Sequence, residues 1–181
     1  MELVKLLRDH GATLVVSDLD PARVQRAVND YGATAVAPEQ LLDTPADLLA
    51  PCGNERALDV DNVARLQVRM VCGTANNQLA DERAGQLLME RGILYAPDYV
   101  VNAGGVMNVS LELDGYNRER AMRLIRSIQT NLGKVFDLSQ SQGCTPQQAA
   151  DRIAEQRLAA IGKLKLPLGR ATPRMHRLRG E

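Results

Sequence analysis

Two rhythms of apolar residues alternate along the first hundred positions of this chain. Short runs of apolar residues stand at 12–17, 34–37, 47–50, 69–72 and 93–95. Between them, apolar residues recur every three or four positions. Short runs bounded by turn residues read as buried parallel strands, and the three-to-four spacing reads as amphipathic helix. Helices are predicted at 1–10, from Asp20-Pro21 to about Asn29, as a single turn at 38–42, at 59–66 and at 78–91. Asp20 followed by Pro21 is an N-cap with proline in the first helical position, and Gly11 and Gly92 are helix stops. Strand and helix taking turns in this way predict an α/β fold with a doubly wound parallel sheet.

The rhythm changes after Gly115. Ala121, Leu124, Ile125, Ile128, Leu132, Val135, Phe136 and Leu138 form one stripe, which predicts a single long helix over 117–142. Thr145-Pro146-Gln147-Gln148 opens another as a capping box, and that helix is expected to run to about Leu164. From Lys165 to Glu181 the chain holds Pro167, Gly169, Pro173, Gly180 and four arginines, the composition of a mobile basic tail. The expected organisation is therefore an α/β unit over 1–115, a helical segment over 116–164 and the tail over 165–181.

Two stretches carry candidate chemistry. Met70-Val71-Cys72-Gly73-Thr74-Ala75-Asn76-Asn77-Gln78 is an apolar strand, a turn of small residues and a cluster of amides. The run from Tyr95 to Ser110 has a short apolar approach at Gly92–Tyr95, a turn at Pro97-Asp98, then Asn102, Gly104-Gly105 and a helical continuation holding Asn108. Glycine lets the backbone come close to a ligand, a helix opening there offers unpaired N–H groups, and an amide donates and accepts together. Two strand–turn–helix units of this kind predict a crevice at the carboxyl ends of parallel strands.

Composition removes several other readings. Lys plus Arg and Asp plus Glu number 22 each, so the net charge is zero and the chain lacks the basic excess of a nucleic-acid binder. With no Trp, four Tyr and one Phe, a base-stacking surface is not expected. Cys52, Cys72 and Cys144 are too widely spaced for a disulfide framework or a CxxC metal site, and His10 and His176 lie far apart. No apolar run reaches about 18 residues and Met1–Lys5 carries no leader pattern, so the expectation is a cytoplasmic protein without membrane or nucleic-acid partners.

Asp18 ends the first strand. In a dinucleotide fold an acid at the end of the second strand bonds the ribose hydroxyl, about 20 residues after a GxGxxG turn. Only 17 residues precede Asp18, and they hold no such turn. Either Asp18 caps the next helix, or the sequence begins one strand late.

Taken together, five segments resemble the amino acid dehydrogenases acting on glutamate, leucine, phenylalanine and valine, closest to the leucine, phenylalanine and valine branch. They are Val16-Ser-Asp18, Leu49-Ala-Pro-Cys52, Gly73-Thr-Ala-Asn-Asn-Gln78, Tyr95 through Val106, and Gly115-Tyr-Asn-Arg-Glu-Arg-Ala121, in order and with family-like spacing from about residue 1 to residue 163. The resemblance implies a Rossmann-like doubly wound sheet lacking its first strand, followed by two long C-terminal helices. It implies NAD as cofactor, with Asp18 on the adenosine ribose, Pro51 and Cys52 lining the cleft, and Asn76 and Asn77 near the nicotinamide ribose and carboxamide. Asn102 is expected between cofactor and substrate, and Val106 and Val109 in an apolar substrate pocket. The implied reaction is oxidative deamination of an apolar L-amino acid, in a protein that is a homo-oligomer when full-length.

The family's two catalytic lysines and its aspartate come from an N-terminal domain not found in this sequence. Catalytic residues are therefore expected to be absent from this chain, and the chain by itself is expected to be inactive. Gly53-Asn-Glu-Arg-Ala-Leu58 also departs from the small-residue run of the family and brings charge near the cleft. The alternative is a non-catalytic remnant that binds a dinucleotide weakly or associates with a full-length relative. In a sheet of order 3-2-1-4-5-6 the first strand is central, so its absence predicts open edges at 12–17 and 47–50 and a weakened or rearranged sheet.

Overall fold

Among the described residues five parallel strands form two sheets. The computed structural model describes residues 1–53, 56–112 and 115–162. Residues 54–55 of the Gly53–Leu58 run, the expected helix end at 163–164 and the basic tail lie outside the described residues. In chain order the elements are α1 (Glu2–Asp9), β1 (Val15–Val16), α2 (Pro21–Tyr31), β2 (Thr34–Ala35), a 3₁₀ turn (Pro38–Asp43), β3 (Leu48–Leu49), α3 (Val60–Arg65), β4 (Met70–Val71), α4 (Glu82–Glu90), β5 (Leu94–Tyr95), α5 (Asp98–Val101), α6 (Gly104–Ser110), α7 (Arg118–Gln142) and α8 (Pro146–Gly162).

β1 pairs with β2, and β3, β4 and β5 pair in that order, every pair parallel. The neighbour missing between β1 and β3 is the central strand of a 3-2-1-4-5-6 order. Each strand keeps two ladder residues, shorter than the three- to six-residue runs of the sequence reading.

Register explains the core. Leu49, Val71 and Tyr95 stand side by side across β3, β4 and β5 and point to one face, because side chains alternate along a strand. On that face lie Leu58, Val63, Leu66, Leu79, Ala84, Leu88 and Ile93, supplied by α3, α4 and the turns around them. The other row, Leu48, Met70 and Leu94, is only half covered, with Leu94 41% exposed. β1 and β2 fare worse: Val15 is 36% exposed and both residues of β2 are exposed.

Helix starts follow the caps. Asp20, Asp59 and Asn117 accept the backbone N–H of Ala22, Asn62 and Arg120, satisfying groups that the helix itself cannot. Asp81 does the same for Ala84, so α4 begins at Glu82 rather than at 78. Before it, residues 78–80 run extended and pair with Leu58, whose N–H donates to the Gln78 carbonyl and whose carbonyl accepts the Ala80 N–H, both at 3.0 Å, and Asn77 takes a left-handed φ of 49°. The turn at Pro97-Asp98 becomes the short helix α5, taking in Val100-Val101, and Gly104-Gly105 open α6.

α7 and α8 form a hairpin. Gly143, at φ 60°, closes α7, and Thr145 and Gln148 exchange hydrogen bonds of 3.2 and 3.3 Å as the capping box requires. Val135, Cys144, Ala149 and Ala150 are buried between them, with Val100 of α5 packed alongside. Tyr99 Oη donates to Asp151 Oδ1 at 2.9 Å, tying α5 to α8.

Candidate functional site

The turns that follow β3, β4 and β5 meet at the carboxyl end of the three-stranded sheet. The first two touch closely. A Cβ on Gly73 would stand 2.1 Å from the Pro51 carbonyl oxygen, so only glycine fits there. Ala75 N–H donates to that same oxygen at 3.0 Å. The second and third turns are joined by side chains: Asn102 Nδ2 donates to Asn76 Oδ1 at 2.6 Å.

Against this amide pair opens a groove of about 620 Å³ lined by Thr74, Asn76, Asn102, Gly105, Val106, Val109 and Ser110. Val106 and Val109, one helical turn apart on α6, are 76% and 60% exposed and give the groove an apolar wall. Small and amide residues form the rest. Every lining residue is uncharged. Such a surface offers hydrogen bonds and apolar contact.

Of the residues expected at the cofactor and in the substrate pocket, Asn76, Asn102, Val106 and Val109 line this one groove. Pro51 backs the groove through Gly73, while Cys52 is exposed on the same loop. Asn77 does not line the groove; its carbonyl accepts the Arg56 N–H at 2.6 Å. Asp18 stands apart, after β1. It is exposed, its Oδ1 accepts the Asp20 N–H at 2.9 Å, and its Oδ2 lies 3.7 Å from Arg23. The helix cap is Asp20, which leaves Asp18 free of that role.

Two residues behind the groove escaped the sequence reading. Gln78 is fully buried and Asp98 is 6% exposed. A glutamine beside two asparagines reads as more of the same exposed amide cluster, and Pro-Asp reads as a surface turn. Their burial follows from long-range packing. Nearby, Tyr95 is buried and its hydroxyl pKa is pushed well above the ordinary phenol value, first by burial and then by the Asp98 charge. Burial likewise raises the Cys72 thiol, which keeps it protonated and unreactive. Among the described residues there is no group of three or more His, Cys, Asp or Glu able to hold a metal, and no helix is long and apolar enough to cross a membrane.

A parallel α/β fold whose strand ends meet in a crevice of glycines and amides is of the Rossmann type. The comparisons with known proteins make the class specific. The sequence model of the Glutamate/Leucine/Phenylalanine/Valine dehydrogenase family matches residues 5–165, and the chain belongs to that family of amino acid dehydrogenases. It is 44% identical over 164 residues to the leucine dehydrogenase of Thermoactinomyces intermedius, covering 91% of this chain and 45% of that protein. It is 43% identical over 160 residues to the valine dehydrogenase of Streptomyces virginiae, covering 87% and 45%. The crystal structure of L-tryptophan dehydrogenase from Nostoc punctiforme superimposes with a TM-score of 0.87 at 37% identity, covering 90% of this chain and 49% of that one. The chain spans about half the length of the relatives it matches.

Proposed function

We propose that the 620 Å³ groove is the face of an NAD-dependent amino acid dehydrogenase on which the nicotinamide and an apolar L-amino acid meet. The observation that carries this reading is the joining, in one groove, of the Asn76–Asn102 amide pair with the Val106–Val109 wall. The residues present fit the cofactor: Gly73 removes the Cβ that would block the crevice floor, and uncharged amides suit a carboxamide and ribose hydroxyls. In this reading Asp18 holds the adenosine ribose, and its charge disfavours a 2′-phosphate and hence NADP. Pro51 and Cys52 border the cleft, and Asn77 belongs to the same cofactor-facing turn.

When bound, the dinucleotide supplies a two-electron acceptor for a hydride. The chain's own residues bind and orient. Asn102, held by Asn76, lies where cofactor and substrate adjoin and fixes the direction of the substrate's polar end. Val106 and Val109 receive the apolar side chain, and the lack of charge along the wall disfavours an acidic one. The overall change converts amino acid, water and NAD to 2-oxo acid, ammonia, NADH and a proton. The lysine base and the carboxylate that this chemistry needs have no counterpart along the groove, so they belong to the other half of the whole protein, a cytoplasmic homo-oligomer in this reading.

Turnover tests the proposal. The chain is mixed or co-expressed with the N-terminal half of the Thermoactinomyces leucine dehydrogenase, and NADH formation from leucine, valine, phenylalanine and tryptophan is followed at 340 nm. NADH production with at least one of them, and none from glutamate or from either half alone, is the expected result. A reconstituted complex that turns over nothing would favour a remnant that only binds.

A further inference from the structure

We propose that Gln78 and Asp98 are positioning residues that set the Asn76–Asn102 pair from behind the groove. The proposal rests on the reading of that groove as the cofactor and substrate face.

Gln78 Nε2 donates to the Gly73 carbonyl at 3.0 Å and to the Ala75 carbonyl at 2.9 Å. One buried amide thus spends both of its hydrogens on a single turn. Gly73 and Ala75 are buried, while the residues alternating with them, Thr74 and Asn76, are exposed and line the groove. Turning the two carbonyls inward presents the two side chains outward. A side chain with two N–H groups in a fixed fork is needed for this. Methionine would fill the space without the bonds, and glutamate would aim oxygen at oxygen.

Asp98 extends the device to the next turn. Its Oδ2 accepts the Gln78 backbone N–H at 3.3 Å, and its own carbonyl accepts the Asn102 N–H at 2.8 Å. The links close a ring, from Asn76 through the turn to Gln78, across to Asp98, along α5 to Asn102, and back to Asn76. Asn76 is thus set through Gln78, and Asn102 through the start of α5, which the Asp98 carboxylate ties to the Gln78 N–H. A site loosened by about 1 Å loses much of its function, so the support behind it decides how well it works.

The full chain is compared with Gln78→Met, Asp98→Leu and Asp98→Asn. Two readouts are used: the side-chain amide signals of Asn102 in ¹H–¹⁵N spectra, and NADH affinity by fluorescence. Gln78→Met and Asp98→Leu are expected to merge the Asn102 amide with free-asparagine signals and to weaken NADH about tenfold or more, with the amide signals of β4 and β5 unmoved. Asp98→Asn keeps an acceptor for the Gln78 N–H and is expected to restore both readouts to near wild type. A role in folding alone would predict no rescue, and shifts throughout the core. If Gln78→Met does not fold, the Asp98 pair decides. If the Asn102 signals and NADH affinity are unchanged in the folded variants, the proposal is overturned. If the wild-type chain takes no NADH, the groove reading falls, and the Asn102 amide decides the positioning role without it.

Discussion

The two sheets share a strand-forming pattern and differ in what covers them. β3, β4 and β5 put Leu49, Val71 and Tyr95 in one row and bury them under α3 and α4. β1 is as apolar, with Val15 and Val16, and β2 less so, with Thr34 and Ala35; within α1, β1, α2 and β2 no residue joins either buried cluster, and only Ala27 lies inside a helix or strand and is buried. α1 has a strong apolar stripe and buries nothing. Propensity and caps are enough to write the local elements, but stability comes from area removed from water. The unit beside the gap is secondary structure waiting for a neighbour, and the unit beyond it is a folded core.

Substitutions should separate the two units most sharply. Leu88→Ala removes a fully buried side chain from the core and is expected to cost about 2–5 kcal/mol. Val16→Ala on β1 is expected to cost less than about 1 kcal/mol, because that position is only half-buried. Denaturant unfolding measures both. Equal costs would mean that β1 packs as tightly as β4.

Hydrogen exchange sharpens the same contrast without mutation. The Thr34 and Val36 amides donate to Leu14 and Val16, and the Cys72 and Ala96 amides donate to Leu49 and Val71, all at 2.8–3.0 Å. Bond length does not distinguish them; burial does. The first pair is expected to exchange at least about tenfold faster than the second, as an element opening by itself rather than with the core. Strong, equal protection in a monomer would contradict the open edge.

The sequence carried much of this, and the reasons are local. Asp20-Pro21, Asp59, Asn117 and the Thr145–Gln148 box announce helix starts because capping needs only neighbours in the chain. Part of the groove was legible for the same reason: the amides Asn76 and Asn102 follow strand ends closely in the chain, whereas Val106 and Val109 were expected in a pocket only through the family resemblance. What escaped depends on partners far along the chain. Gln78 is buried where its N–H donates to Asp98 Oδ2, twenty residues away. The late start of α4 reflects the extended pairing of residues 78–80 with Leu58, twenty residues earlier.

Alkaline pH gives a smaller test within the buried unit. Tyr95 has a raised pKa, so its neutral form stabilises the fold fully below the ordinary phenol value of about 10. That contribution is lost as pH rises from there toward the folded-state value. Stability is therefore expected to fall above about pH 10, by at most about 1.4 kcal/mol per pH unit from this one group. Tyr95→Phe should flatten the fall while leaving the profile near neutrality unchanged. An identical slope in both proteins would show that Tyr95 is not the group responsible.

The most direct test of the functional reading is a titration of the full chain with NADH, followed residue by residue in ¹H–¹⁵N spectra. Saturable shifts at Thr74, Asn76, Asn102, Gly105, Val106 and Val109 are the result this account predicts. Saturating NADH that leaves those six signals in place, or that moves only residues outside the groove, would contradict it.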